Sequence, residues 1–340
     1  MTVRGIRISH PDRVMYDEPR LTKLDVARYY DTIAPAMMPH AEGRPLTLVR
    51  CGEGVSGDCI FMKHSKLWAF PALTRVKIPE KKKIGEYLVI ESPDGLVGLA
   101  QMDILEIHTW NTRYQRVELP DRIVLDLDPG PEVGWPAVVA AATLVRTMLA
   151  TLDLACWVKT TGGRGLHVVI PLAPREDWSV CLDFARAAAD ALVRHDPAQF
   201  TTNFAKRGRE RQILIDYMRN NRTNTSIAAF STRARPGAPV SMPLSWTELT
   251  PRLDPASFTV LTAASRVSRQ RKDPWADYFH SKQRLPKSAT RALKSLQLPA
   301  SSIQLSASSF QLPASTRPVR PSTGSRAASG PRRRRASRSS

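Results

Sequence analysis

RIVLDLDPG (122–130) opens on an apolar run too short for a helix and closes on a Pro-Gly turn, so it reads as a strand. Side chains of a strand alternate between faces, and Asp126 and Asp128 therefore leave the same one. Two carboxylates so placed repel each other unless a cation lies between them, and a pair of Mg²⁺ or Mn²⁺ ions needs oxygen ligands of this kind. The plainer alternative is a strand ending in solvated turn residues. QILIDYM (212–218) is a second apolar strand, and it places Asp216 in its C-terminal part. Three strand-borne carboxylates with basic neighbours suit two-metal phosphoryl transfer. A buried, hydrogen-bonded structural Asp216 is the alternative there.

Working outward, CWVKT (156–160) and HVVIPL (167–172) are strands joined by the turn TGGRG, which predicts an antiparallel hairpin. In TTGGRGLH, glycines let backbone approach a phosphate, and Thr161, Arg164 and His167 supply donors. The pattern is not GxGxxG and no helix follows, so a dinucleotide fold is excluded. Arg219, Arg233 and Arg235 follow Asp216, and guanidinium forks match triphosphate oxygens. His108, in EIHTW, is a further candidate phosphate or sugar contact. PAVVAAATLVRTMLATL (136–152) and DWSVCLDFARAAADALVRH (177–195) read as helices. Upstream, Thr22 and Asp25 form a capping-box start to a helix that Pro35 ends or kinks, while PLTLVRC (45–51) and YLVIES (87–92) read as strands. Alternating strands and helices give an α/β or α+β class.

The chain has 340 residues and a formal charge of +19, a balance that usually meets a polyanion. The charge is uneven: residues 280–340 hold 13 Lys and Arg with no Asp or Glu. Any nucleic-acid surface on the body must then be local. The Ser-, Pro- and Arg-rich segment 280–340 is expected to be a disordered basic tail. It contains three copies of a seven-residue unit, SLQLPAS (295–301), SIQLSAS (302–308) and SFQLPAS (309–315), and the run Arg332–Arg335. Cys51, Cys59, Cys156 and Cys181 show no CxxC spacing, which predicts neither a zinc ribbon nor a disulfide framework and fits a reducing cytoplasm. There is no apolar signal core at the N-terminus, and Arg146 interrupts the most apolar stretch, so a membrane partner is not expected.

Taken together, HPDRVMYDEPRLTKLDVARYY (10–30), GRPLTLVRC (43–51), LAQMDILEIHTW (99–110), DRIVLDLDPGP (121–131), VKTTGGRGLHVVIPL (158–172), ILIDYMRNNRTNTSIAAFSTRARPGAPVSMPLSW (213–246) and DPWADYF (273–279) stand in the order found in the polymerase domain of bacterial DNA ligase D. That domain belongs to the archaeo-eukaryotic primase superfamily. The resemblance spans about residues 6–279, and it looks like a stand-alone version.

The resemblance implies a primase-like fold with a central, mostly antiparallel sheet flanked by helices. It divides 1–279 into an N-terminal part (1–100) with a 5′-phosphate pocket and a catalytic part (101–279). Asp126, Asp128 and Asp216 would be the catalytic ligands of two divalent cations, Mn²⁺ or Mg²⁺. His108, Thr161, Arg164, His167, Arg219, Arg233 and Arg235 would bind the incoming NTP or dNTP. Arg13 and Lys23 would take a DNA 5′-phosphate, with Lys23 at a helix start where free N–H groups favour an anion. Phe61 would stack on a template base, although the family usually has two adjacent aromatics where Ile60-Phe61 stands here. Ku and a DNA ligase would be functional partners in non-homologous end joining in the bacterial cytoplasm, at the nucleoid. The rivals are a two-metal nuclease and a non-catalytic end-bridging protein.

Overall fold

Ile123, Leu125 and Leu127 join the main hydrophobic cluster, whereas Val124 packs in a separate cluster with Val169, Trp275 and Tyr278. One face of the central strand is thus filled by core, and the even-numbered residues face the other way. This arrangement comes from a computed structural model that describes residues 1–64, 70–281 and 283–298.

The described residues form, in chain order, β1 (Thr2–Val3), β2 (Ile6–Arg7), β3 (Val14–Tyr16), β4 (Leu21–Thr22), α1 (Lys23–Ala41), β5 (Leu46–Cys51), β6 (Cys59–Met62), β7 (Leu73–Pro79), β8 (Ile84–Ile90), α2 (Pro93–Gln101) and β9 (Ile104–Thr109). There follow β10 (Arg122–Pro129), α3 (Trp135–Ala150), β11 (Trp157–Thr160), β12 (Leu166–Pro171), α4 (Trp178–His195), β13 (Phe200–Thr201), β14 (Ile213–Asp216), β15 (Ser226–Ile227), β16 (Pro243–Leu244), α5 (Val260–Arg269) and α6 (Ala289–Ser295). The central sheet runs β13-β14-β10-β12-β11-β16. All its pairings are antiparallel except β13 with β14. A second, antiparallel sheet runs β15-β9-β5-β6. The mixed α/β class and the hairpin around TGGRG are as the sequence predicts, and the mostly antiparallel sheet is as the resemblance implies.

Helix α1 carries the predicted capping box, with Asp25 N donating to Thr22 Oγ1 (3.3 Å) and Thr22 N to Asp25 Oδ2 (2.8 Å). It does not end at Pro35: it runs through Pro35 and Pro39 to Ala41. Tyr30, Ile33, Ala34 and Met37 are buried on one face, and their packing outweighs the missing hydrogen bonds.

Two other expectations are corrected. The tail does not begin at 280. Leu285, Ala289 and Leu293 lie in the core, and α6 packs on α4. Gln283 Nε2 donates to Pro171 O and Ala155 O at 2.8 Å each, tying the segment to the end of β12. Most of the seven-residue repeat and Arg332–Arg335 lie outside the described residues. The second correction concerns Cys51 and Cys59, which form a disulfide. They stand directly opposite each other in the β5–β6 register, a proximity that linear spacing does not express. Cys156 and Cys181 are free and buried.

Candidate active site

Register sets the site. Lys159 pairs with His167 across β11–β12, His167 with Asp126 across β12–β10, and Asp126 with Asp216 across β10–β14. Directly opposed residues share a face, so four ionisable side chains form one row across four strands. All four are buried. His167 Nε2 lies 3.4 Å from Asp126 Oδ2. Arg219 Nε lies 3.0 Å from Asp126 Oδ2 and 3.0 Å from Asp216 Oδ2, so one donor spans both carboxylates.

Arg219 comes from the 3₁₀ turn Tyr217–Asn220, which takes over where β14 stops. Asn220 fixes that turn by continuing the ladder with its side chain. Its Oδ1 accepts from Val124 N at 2.8 Å, and its Nδ2 donates to Val124 O at 2.7 Å. Close backbone approach shapes the other side: a Cβ on Gly165 would sit 2.5 Å from Leu127 O, so the turn before β12 needs glycine there.

The charges are unequal. Burial alone would raise the Asp126 pKa, but His167 and Arg219 outweigh it and hold the carboxyl well below its usual range. Asp216 is pushed up by burial, against Arg219 and with the help of Asp126. Burial and the nearby Lys159 bring His167 down to about 4, so it is neutral at pH 7. Its Nδ1 is buried without a partner. Lys159 is held well below its normal value, first by burial and then by Arg122. Its Nζ donates to Ser241 Oγ at 2.6 Å.

The expected trio of carboxylates is only partly gathered. Among the described residues, no three His, Cys, Asp or Glu side chains are grouped closely enough to hold a metal ion. Asp126 and Asp216 share Arg219, whereas Asp128 is 54% exposed on its side chain and bound to Arg209 Nη2 at 3.1 Å. The donor set still fits a hard cation in its chemistry. It offers carboxylate oxygens on one sheet face, with the positive charge between Asp126 and Asp216 borne by a side chain on a short turn that an ion would have to displace.

Asp126, Asp128, His108, Thr161, Arg164, His167, Arg219, Arg233 and Arg235 line one cavity of about 300 Å³. The structure therefore brings together Asp126, Asp128 and every residue predicted to bind nucleotide, with Asp216 outside the cavity lining and paired to Arg219. Two of the predicted donors are turned to the protein. Arg164 Nη2 donates to Val133 O (2.6 Å), and Thr161 Oγ1 to Gly165 O (3.2 Å). Glu106, which the sequence reading did not single out, organises the far wall. It accepts from Arg233 Nε (3.0 Å) and Ala234 N (2.9 Å), and its Oε2 lies 2.8 Å from His108 Nε2. Burial would raise its pKa, but His108 and Arg233 hold it at about 2. The available signal was period two: Glu106 and His108 share one face of β9. Phe61, on edge strand β6, is 64% exposed, and its ring centroid lies 6.3 Å from that of His108.

A second cavity, of about 400 Å³, lies at the start of α1 and is lined by Ser9, Arg13, Lys23, Arg50 and Asp103, among others. Lys23 Nζ (2.9 Å), Arg13 Nη1 (3.2 Å) and Arg50 Nη2 (3.3 Å) all meet the buried Asp103. Arg13 and Lys23 are thus together as predicted; Arg50 and Asp103 were missed. The expected free helix N–H groups are not there. Lys23 N donates to Arg13 O and Leu24 N to Pro11 O, so side chains supply the anion donors.

The family described as "LigD, primase-polymerase domain" matches residues 22–275. The chain is 36% identical over 290 residues to the multifunctional non-homologous end joining protein LigD of Pseudomonas aeruginosa, covering 85% of this chain and 34% of that protein. It is 34% identical over 246 residues to the Mycolicibacterium smegmatis protein of the same description, covering 72% and 32%. It spans about a third of the length of these relatives. The solved polymerase domain of Mycobacterium tuberculosis ligase D in complex with DNA superposes with a TM-score of 0.76 at 29% identity, covering 82% of this chain and 99% of that one.

Proposed function

Because the chain belongs to the LigD primase-polymerase domain family, we propose that it is a template-directed nucleotidyltransferase, adding NTPs or dNTPs to a DNA 3′-OH at gaps and at broken ends rejoined without homology. The observation that carries this reading is the single cavity in which two carboxylates meet His108, His167 and the guanidiniums of Arg219, Arg233 and Arg235. Transfer from a triphosphate develops charge on phosphate oxygens, and fixed guanidiniums are suited to it. A two-metal nuclease would need the carboxylates but has little use for three arginines.

Asp126, Asp128 and Asp216 would hold two divalent cations, Mn²⁺ or Mg²⁺. Bound there, they would supply Lewis-acid activation of a primer hydroxyl and positive charge to offset that of a departing pyrophosphate. The remaining work falls to the chain. Arg233 and Arg235 orient the triphosphate, with Glu106 fixing Arg233 and His108. Arg219, carried by the turn that Asn220 fixes, stands at the carboxylates and at the cavity that takes the phosphates. His167 is neutral at pH 7 and serves as a positioned hydrogen-bond group, while Thr161 and Arg164 shape the turn beside it. Phe61 stacks on a template base, and Lys23 with Arg13 takes the 5′-phosphate across the gap. DNA is the macromolecular partner. Ku and a DNA ligase would act in the same pathway in the bacterial cytoplasm, at the nucleoid.

The test is to incubate the protein with gapped, 5′-phosphorylated DNA, Mn²⁺ and labelled NTP or dNTP. Extension of the primer supports the reading. Shortening identifies a nuclease, and a bound but unchanged substrate identifies an end-bridging protein; either result overturns it.

A further inference from the structure

At the other end of α1, about 28 Å from Lys23 at 1.5 Å per residue over 19 residues, lies a hollow of about 680 Å³. It is formed where β10 begins and β12 ends, whereas the candidate active site lies farther along β10. Arg44, Arg113, Arg116, Arg175 and Arg284 line it, and Asp121 is the one carboxylate among the lining residues.

The arginines fall into two groups. Arg44 is buried in the floor and bound two-pronged to Asp121, with Nη1 at 2.7 Å and Nη2 at 2.8 Å. Arg113 Nε stands 3.9 Å from the same carboxylate. Asp121 therefore already serves two cations. Arg116, Arg175 and Arg284 are exposed at the rim, and their guanidiniums have no hydrogen-bond or ion-pair partner among the described residues. Behind the floor, buried Arg122 is bonded to Asn111, Thr109 and Trp110 O and to no carboxylate. Burial and the neighbouring Arg44 bring its pKa down to about 10, against the partial support of Tyr278 and Asp121.

Arg284 owes its place to the strap that the sequence suggested was tail. Gln283 is fastened to Pro171 and Ala155, and Ala173 N donates to Gln283 O at 2.8 Å. Fixed backbone thus brings a fifth guanidinium to a cavity that already has excess positive charge. A concave site with low-dielectric walls concentrates that field, and guanidinium forks fit phosphate oxygens. The volume is in the range of small-ligand sites. The charges also meet in one hollow instead of running as a stripe, which favours a compact ligand over a strand of nucleic acid. Tyr278 and Phe279 add an aromatic wall.

We propose that this hollow is a second phosphate site, separate from the candidate active site and from the pocket at Lys23, that takes a compact oligophosphate: pyrophosphate, tripolyphosphate or the phosphate end of a nucleotide. The test is calorimetric titration of the full chain with tripolyphosphate in metal-free buffer. It compares wild type with Arg116→Gln/Arg175→Gln/Arg284→Gln, which alters only exposed side chains and leaves the basic tail in place. The triple variant should lose at least tenfold in tripolyphosphate affinity at one site, while its melting temperature, primer extension and affinity for a short duplex stay at wild-type values. Each single variant should give a smaller loss in the same direction. Unchanged tripolyphosphate binding overturns the proposal. So does a loss confined to duplex binding, which would assign the arginines to the DNA backbone.

Discussion

Lys23→Met removes an ammonium while keeping most of the side-chain volume. Lys23 is 3% exposed and sits with Arg13 and Arg50 around Asp103, so the pocket holds three cations against one carboxylate. A phosphate entering it would draw on the two surplus charges. Lys23 is the least solvent-screened of the three, since Arg13 and Arg50 are 31% and 36% exposed on their side chains. A hydrogen bond to a charged group contributes about 1.5–3 kcal/mol, so losing this one should weaken binding of a 5′-phosphorylated gap by about 10- to 100-fold. Binding of the 5′-hydroxyl gap should scarcely change, because Asp103 keeps Arg13 and Arg50 as partners. Fluorescence anisotropy with the two gapped duplexes at one salt concentration measures both affinities. Equal losses on the two substrates would refute the phosphate pocket and leave Lys23 as a structural partner of Asp103.

Three further outcomes are expected. Glu106 has a folded pKa of about 2 against 4.5 unperturbed, so it stabilises the fold above pH 4.5 and loses that contribution as the pH falls toward 2. Denaturant melts should show wild type losing on the order of 3 kcal/mol more than Glu106→Gln over that window, and parallel profiles would contradict the assignment. Asn220→Ala strands both polar groups of Val124 and should cost about 2–4 kcal/mol in unfolding free energy, lowering activity further by freeing Arg219; a stability change under 1 kcal/mol would contradict the ladder role. Thiol titration of the unfolded, unreduced chain should count two thiols, Cys156 and Cys181; a count of four would contradict the Cys51–Cys59 bond.

Much of the site was legible because strands translate sequence into geometry with a period of two. RIVLDLD and QILIDYM carry their own direction, and the turn between VKT and LHVVIPL announces a hairpin. Local pattern does not give register. That His167, Asp126 and Asp216 form one row depends on how three separate strands slide against each other. The same holds for Cys51 opposite Cys59, and for Asp103, whose three cations arrive from β5, the start of α1 and the loop before β3. Glu106 looked like one more polar residue until its partner Arg233 arrived from 127 positions away. The segment after 280 misled by composition: Leu285, Ala289 and Leu293 are a helix-spaced apolar trio inside a Ser- and Arg-rich context.

The most direct measurement is single-nucleotide incorporation on a gapped, 5′-phosphorylated duplex with Mn²⁺, comparing wild type with Asp126→Ala/Asp128→Ala and with Asp216→Ala. Wild type should extend the primer, and both variants should lose extension while holding the DNA with near wild-type affinity. Extension that survives in either variant, or none in wild type, would contradict carboxylate-borne nucleotidyl transfer at this cavity.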